Sequence, residues 1–177
     1  MPTEILPVVI VSGPVGVGKT SVGSAINTIL EQRSVPHTFV DFDQLRYTFP
    51  RSTDDPWNNV LALENLKSIW SNCEKAGALN LIISYVVEEE SFIDELRKKI
   101  PCCATVIIQL SADIETLHSR IRQREIGSGL EWHERRAGEL LDILSRQSTP
   151  CDYRMKTDQK QVAEIAAEIV DLVRWRR

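Results

Sequence analysis

Residues Gly13-Pro14-Val15-Gly16-Val17-Gly18-Lys19-Thr20 follow the order G-x-x-x-x-G-K-T, and Ser21 comes next. Each residue type in that order suits a polyphosphate. Glycines let successive backbone N–H groups turn toward an anion, a lysine directly after them reaches terminal phosphate oxygens, and a threonine hydroxyl is a hard ligand for magnesium. The sequence therefore predicts that residues 13–21 hold ATP with Mg2+, with Lys19 on the β- and γ-phosphates and Thr20 on the metal.

A second group of residues could complete phosphoryl transfer. Asp41 and Asp43 close a short apolar run, and two acids two residues apart on extended chain face the same way. One can serve the metal through its water shell while the other meets an acceptor hydroxyl. The alternative is that either acid caps the helix that follows. The apolar run at 79–87 offers no aspartate at its end; Ser84 and then Glu88 are the polar residues there. Arg120 and Arg124 are four apart and share a helix face, so they could neutralise charge developing on the transferred group, whereas Arg122 points elsewhere. Arg135 and Arg136 are further candidates, and each arginine could instead form part of a solvated basic face. His133 could act on the acceptor or simply pack. Trp57 and Trp132 could line a pocket, but aromatic residues at helical spacing are more often core residues. Thr157 and Asp158 fall where an adenine could sit, or where they would cap the last helix.

These residues need elements to position them. Apolar runs at 8–11, 39–41, 79–87 and 104–110 read as strands, and a further short strand is expected near 153–157. Between them, helical spacing predicts helices from Val22 onward, over 55–76 and 88–99, over 114–125 with Ser111 as N-cap, over 130–144, and from Gln161. The apolar faces assigned include Ile114, Leu117 and Ile121 in one helix, and Val162, Ile165, Ala166, Ile169 and Val173 in the last. Continuous apolar strands alternating with helices indicate a parallel sheet covered on both faces. The fold class is thus an α/β single-domain P-loop NTPase over 1–177, with a helical lid at about 122–145 that includes Gly127-Ser128-Gly129.

Bulk properties narrow the partners. The chain has 177 residues, net charge −4 and no basic block, so nucleic acid is not an expected partner. The first residues, MPTEILPVVIVSG, carry no basic n-region, and their apolar run is too short to span a bilayer. No signal peptide or membrane segment is expected, and the location read is cytoplasmic. Cys73, Cys102, Cys103 and Cys151 form no zinc-site spacing and read as buried reduced thiols.

The phosphate loop taken with Asp41-Phe42-Asp43 and Arg46 resembles the D-x-D-x-x-R pattern of adenylylsulfate kinases, and D-x-D at this place also resembles shikimate kinases. The likeness continues through Asn65, Ala76-Gly77 and Ile83-Ser84 and covers roughly residues 8–100. It implies an ATP-dependent kinase with a five-stranded parallel sheet and a mobile lid. It also implies that Asp43 accepts from the acceptor hydroxyl while Arg46, Asn65 and Ser84 contact the acceptor. Tyr85 stands where those kinases have proline and Ala62 where they have arginine, and their lid sequence has no counterpart here. The pattern around 127–133 is similar instead to bacterial kinase-like P-loop proteins whose acceptor is not established. The expectation is therefore a phosphotransferase that moves the γ-phosphate to a hydroxyl of a small molecule. The alternative is a nucleotide-gated regulatory ATPase acting through a protein partner.

Overall fold

In the computed structural model, which describes residues 5–124, 129–146 and 148–177, strand β1 (Leu6–Ser12) is buried along nearly its whole length. Val8 and Ile10 enter one apolar cluster, Val9 and Val11 the other, as the two-residue period of a strand requires. Such a strand needs neighbours on both edges. β1 lies between β3 (Leu81–Ser84) and β4 (Cys103–Ser111), with β2 (Thr38–Asp41) outside β3 and β5 (Tyr153–Lys156) outside β4. Every pairing is parallel, in the order β2-β3-β1-β4-β5. The chain is the single-domain five-stranded parallel α/β fold expected from the sequence. The connections diverge on either side of β1, so a crevice opens at the carboxyl end of that strand, where open α/β sheets bind ligands.

Helices cover both faces. α2 (Asn59–Lys75) and α3 (Glu90–Lys99) bury Leu66, Trp70, Ile93 and Leu96 against one side. α1 (Lys19–Gln32), α4 (Ile114–Arg124) and α6 (Val162–Leu172) bury Val22, Ile26, Leu117, Ile121, Ile165 and Ile169 in the cluster on the other. Each such side chain contributes about 1.5–3 kcal/mol through burial. α5 (Leu130–Ser145) packs on α4, tied by Arg122 to Glu134 at 2.6 Å and by His118 Nε2 to the Glu134 carbonyl at 3.2 Å.

Several expected boundaries shift for identifiable reasons. α2 begins at Asn59 rather than near 55, because the Asp55 carboxylate accepts from the backbone N–H groups of Asn59 at 2.7 Å and Val60 at 2.9 Å and so caps the helix from outside it. β3 is shorter than 79–87: past Ser84, Val87 N–H donates to Ser12 Oγ at 3.0 Å, which turns the chain out of the sheet. α3 accordingly starts at Glu90 rather than 88. Ser111 is the last residue of β4, and α4 starts at Ile114, so Ser111 does not cap that helix. Ile114 and Val162, assigned to buried faces, are exposed because each opens its helix beyond the sheet. The four cysteines are unpaired thiols, but none is fully buried, and Cys102 is exposed. No helix among the described residues is long and apolar enough to cross a membrane. Residues 125–128, within the stretch read as a lid, lie outside the described residues.

Candidate active site

After β1 the chain turns through Gly13, Gly16 and Gly18, all at positive φ, before α1 begins at Lys19. At Gly16, φ is 82° and a Cβ would lie 2.8 Å from Ile121 Cγ1 and 3.0 Å from the Leu117 carbonyl oxygen. Glycine is therefore required there twice over, by conformation and by the close approach of α4. Gly18 occupies the N-cap of α1 in the left-handed region and brings no capping side chain. The first N–H groups of α1 thus remain available to an anion. Lys19 Nζ curls into the turn and donates to the carbonyls of Gly13 at 2.9 Å and Pro14 at 3.0 Å. Burial pulls its pKa down from 10.5 to about 8, with Asp43 and Asp41 opposing that shift and Arg124 adding to it.

Opposite the loop, Thr20 Oγ1 donates to Asp41 Oδ2 at 2.6 Å, while Asp41 Oδ1 accepts from Asp43 N–H at 3.1 Å. Asp41 caps the following turn, the alternative reading of its role, and its other carboxylate oxygen faces Thr20 of the phosphate loop. The chain leaves extended geometry at Phe42 and forms a 3-10 turn over Phe42–Arg46, so Asp41 and Asp43 do not project in parallel as on a continuous strand. They still reach one cleft. Asp43 pairs with Arg46 at 3.0 Å, and the Arg46 guanidinium lies 5.3 Å from the Tyr85 ring centre and 5.9 Å from that of Phe42. Burial raises the Tyr85 phenol's pKa, with Arg46 partly offsetting this.

A hydroxyl beside a carboxylate oxygen is a hard donor set that fits Mg2+ when phosphate oxygens and water supply the remaining ligands. Among the described residues there is no cluster of three or more His, Cys, Asp or Glu able to hold a metal unaided. Thr20 and Asp41 would therefore hold the ion only together with a nucleotide.

Two cavities meet at the loop. One, of about 750 Å³, runs from Lys19 and Thr20 past Asp41, Asp43 and Arg46 to Tyr85 and α5. The other, of about 660 Å³, lies between the loop, Arg120 and residues 157–162. Gly16, Gly18, Ser21 and Arg124 border both. Val15 borders the first and Val17 the second, whereas Gly13 and Pro14 border neither and shape the loop from behind.

The remaining sequence candidates separate clearly. Arg120 donates to Thr157 Oγ1 and to the Thr157 carbonyl, both at 2.9 Å, so it braces the second cavity and lies apart from Asp43. Arg124 lies where the cavities join. Asp158 Oδ1 accepts from Asp113 N–H at 2.8 Å, tying the loop after β5 to the start of α4. Asn65 Nδ2 donates to the Leu45 carbonyl at 2.8 Å and holds the 3-10 turn in place. Neither Asn65 nor the buried Ser84 borders a cavity. Arg136 and Glu88 form an ion pair that joins α5 to the segment after β3, and both line the larger cleft with His133.

No protein-family model matches the chain, and no curated protein matches it. Solved structures do. An APS kinase of Mycobacterium tuberculosis, in complex with AMPPNP and APS, superposes with a TM-score of 0.65 at 20% identity, over 96% of this chain and 98% of that one. A gluconokinase from Sinorhizobium meliloti 1021 gives 0.59 at 21% identity, covering 96% and 92%. A shikimate kinase from Acinetobacter baumannii, in complex with shikimate, gives 0.54 at 19%, covering 96% and 93%. This chain has the fold of the P-loop small-molecule kinases.

Within that kinase fold, the residues that sequence reasoning passed over are aromatic. Trp57 and Trp132 are 56% and 42% exposed and line the larger cleft, the less favoured of the two readings the sequence allowed. Trp57 lies ahead of α2 and Trp132 in the first turn of α5, so neither follows the apolar stripe of its helix, and that phase was the available signal. Tyr85 is the residue at which the resemblance to adenylylsulfate kinases breaks, and it forms part of the cleft wall.

Proposed function

We propose that this chain is an ATP- and Mg2+-dependent phosphotransferase that moves the γ-phosphate to a hydroxyl of a small molecule. The carrying observation is that two separate cavities open onto one phosphate loop, with an exposed carboxylate, Asp43, in the cavity away from residues 157–162. A reaction that joins two substrates needs both cavities, and holding the reactants together is itself a large part of its catalysis. In this reading the nucleoside of ATP occupies the cavity at Thr157 and the acceptor occupies the cleft at Asp43 and Arg46. The acceptor hydroxyl oxygen forms a bond to the γ-phosphorus as the bridging bond to the β-phosphate breaks, releasing ADP. Asp43 orients the hydroxyl and takes its proton. Lys19 and Arg124 meet the charge spread over the transferred group. Thr20, and Asp41 through the ion's water shell, would hold Mg2+, which would supply neutralisation of the phosphate charge.

We take α5 as the wall of a lid over residues 122–145, locked to the sheet side by Arg136 and Glu88. The unpaired thiols accord with a cytoplasmic location, where ATP is also available. Nothing in the site favours a nucleotide-gated ATPase, which needs no second cavity and no carboxylate across it from the loop.

The test is ATP consumption by the purified protein with Mg2+ and pooled metabolites, with mass spectrometry searching for a compound that gains one phosphate. A phosphorylated product that disappears with Lys19→Ala supports the reading. Hydrolysis unaffected by every pool, with no phosphorylated compound, would sink it.

A further inference from the structure

The two cavities differ in the side chains they offer. Tyr47, Trp57, Tyr85 and Trp132 line the acceptor cleft, whereas among the described residues no aromatic ring lines the cavity at Thr157. Trp57 and Trp132 come from different elements, the turn before α2 and the start of α5, so the cleft is apolar on two walls. Both indoles are substantially exposed, and their apolar faces border the space where the acceptor enters. Single exposed aromatics are ordinary, but several around one concave site mark a ligand surface.

Away from the phosphate loop, Arg46 is paired with Asp43 and Arg136 with Glu88, and Arg51 also lines the cleft. Asn59, on the same lining, has a buried Oδ1 with no hydrogen-bond partner, an acceptor for a donor that the protein does not itself supply.

Resting on the kinase reading above, we propose that the acceptor is a compound carrying both a planar ring and hydroxyl groups, the chemistry shared by nucleosides and aryl glycosides. The ring lies against Trp57 and Trp132, a hydroxyl meets Asn59, and the hydroxyl that receives phosphate lies at Asp43. Ring stacking on indole is tolerant of ring identity, so these two tryptophans set the acceptor class more than the individual compound.

The experiment uses the full chain with Mg2+ and ATP against three sets of acceptors: adenosine and uridine, 4-nitrophenyl glycosides, and the ring-free gluconate and glycerol. Phosphorylated product is read by mass spectrometry. Product is expected from the nucleosides or the aryl glycosides, and which of the two reacts distinguishes the sources. Trp57→Ala and Trp132→Ala should each raise the acceptor KM by about 5- to 100-fold while leaving the ATP KM within about twofold, given what a stacked ring contributes. Tyr153→Ala, which removes an exposed aromatic outside both cavities, is the control and should change neither constant. Turnover of gluconate or glycerol that ignores both tryptophan substitutions would overturn the inference while leaving the kinase reading standing. A rise in the ATP KM in place of the acceptor KM would also overturn it. If no set yields product, titration of the protein loaded with AMPPNP decides through quenching of tryptophan fluorescence. Saturable quenching by a ring-bearing compound, lost in the two variants, supports the inference, and its absence overturns it. Failure of AMPPNP itself to bind would instead overturn the kinase reading.

Discussion

The phosphate loop and the facing wall, where we propose that the acceptor lies, are built in opposite ways. The phosphate loop is nine consecutive residues whose glycines hold positive φ and whose back is braced by Leu117 and Ile121 of α4. The facing wall is assembled from the 3-10 turn at 42–46, the turn ahead of α2, the exit of β3 and the first turns of α5, segments separated by up to about ninety residues of chain. A contiguous site is specified by backbone conformation and changes little with its surroundings. An assembled site depends on packing and on a few polar ties, so its chemistry can diverge while the sheet stays the same.

This contrast can be broken or sharpened by substitution. Lys19→Ala should have the largest effect, lowering turnover at least about 10³-fold, because it removes the cation that meets the charge of the transferred phosphoryl group. Steady-state kinetics checks it, and near-normal turnover would detach the loop from the reaction. Asp43→Asn should lower kcat by about 10²-fold with the ATP KM nearly unchanged, as loss of a positioned proton acceptor predicts. An equal fall in ATP affinity would mean that Asp43 belongs to the nucleotide side.

The next effect is one of pH. With Lys19 titrating near 8 in the free protein, a bound polyphosphate favours its charged form, so binding takes up a proton above pH 8. ATP affinity should therefore fall by up to about tenfold per pH unit above 8, and calorimetry in buffers of different ionisation enthalpy should register the uptake. The sign for stability is opposite. Between pH 8 and 10.5 the unfolded chain binds more protons at this lysine than the folded one, so this group makes the nucleotide-free fold more stable as pH rises through that window.

Two changes test how each wall is held. Gly16→Ala should cost about 1–3 kcal/mol and lower Tm by several degrees, since both φ and the contact with α4 resist a side chain. Asn65→Ala should cost about 1 kcal/mol by releasing the Leu45 carbonyl, and should raise the acceptor KM more than the ATP KM because the released turn carries Asp43 and Arg46. If Asn65→Ala affects both constants equally, the two walls are less independent than the structure implies.

The fold was legible because its signals are local. Continuous Val/Ile runs such as 8–11 and 81–83 admit only a strand covered on both faces, and the glycine spacing at 13–18 admits only a tight strand-to-helix turn. The site was legible in part. Lys19, Thr20, Asp41 and Asp43 lie in one cleft, as the motif spacing suggested, but Asn65 and Arg120 serve as braces, and nothing in their residue types distinguishes a brace from a ligand contact. Trp57 and Trp132 read as core because helical spacing cannot register a turn or helix end that faces a cleft.

By itself, the sequence determined the strand-loop-helix unit, its glycine turn and the parallel sheet that carries it, since these follow from side-chain volume, periodicity and the conformational range of glycine. Tertiary structure alone decided which residues form the second wall. Asp43, Trp57, Tyr85 and Trp132 become neighbours only because β3 lies between β1 and β2 and α5 folds back over them. Proximity between distant segments is a property of packing, and no window of sequence contains it.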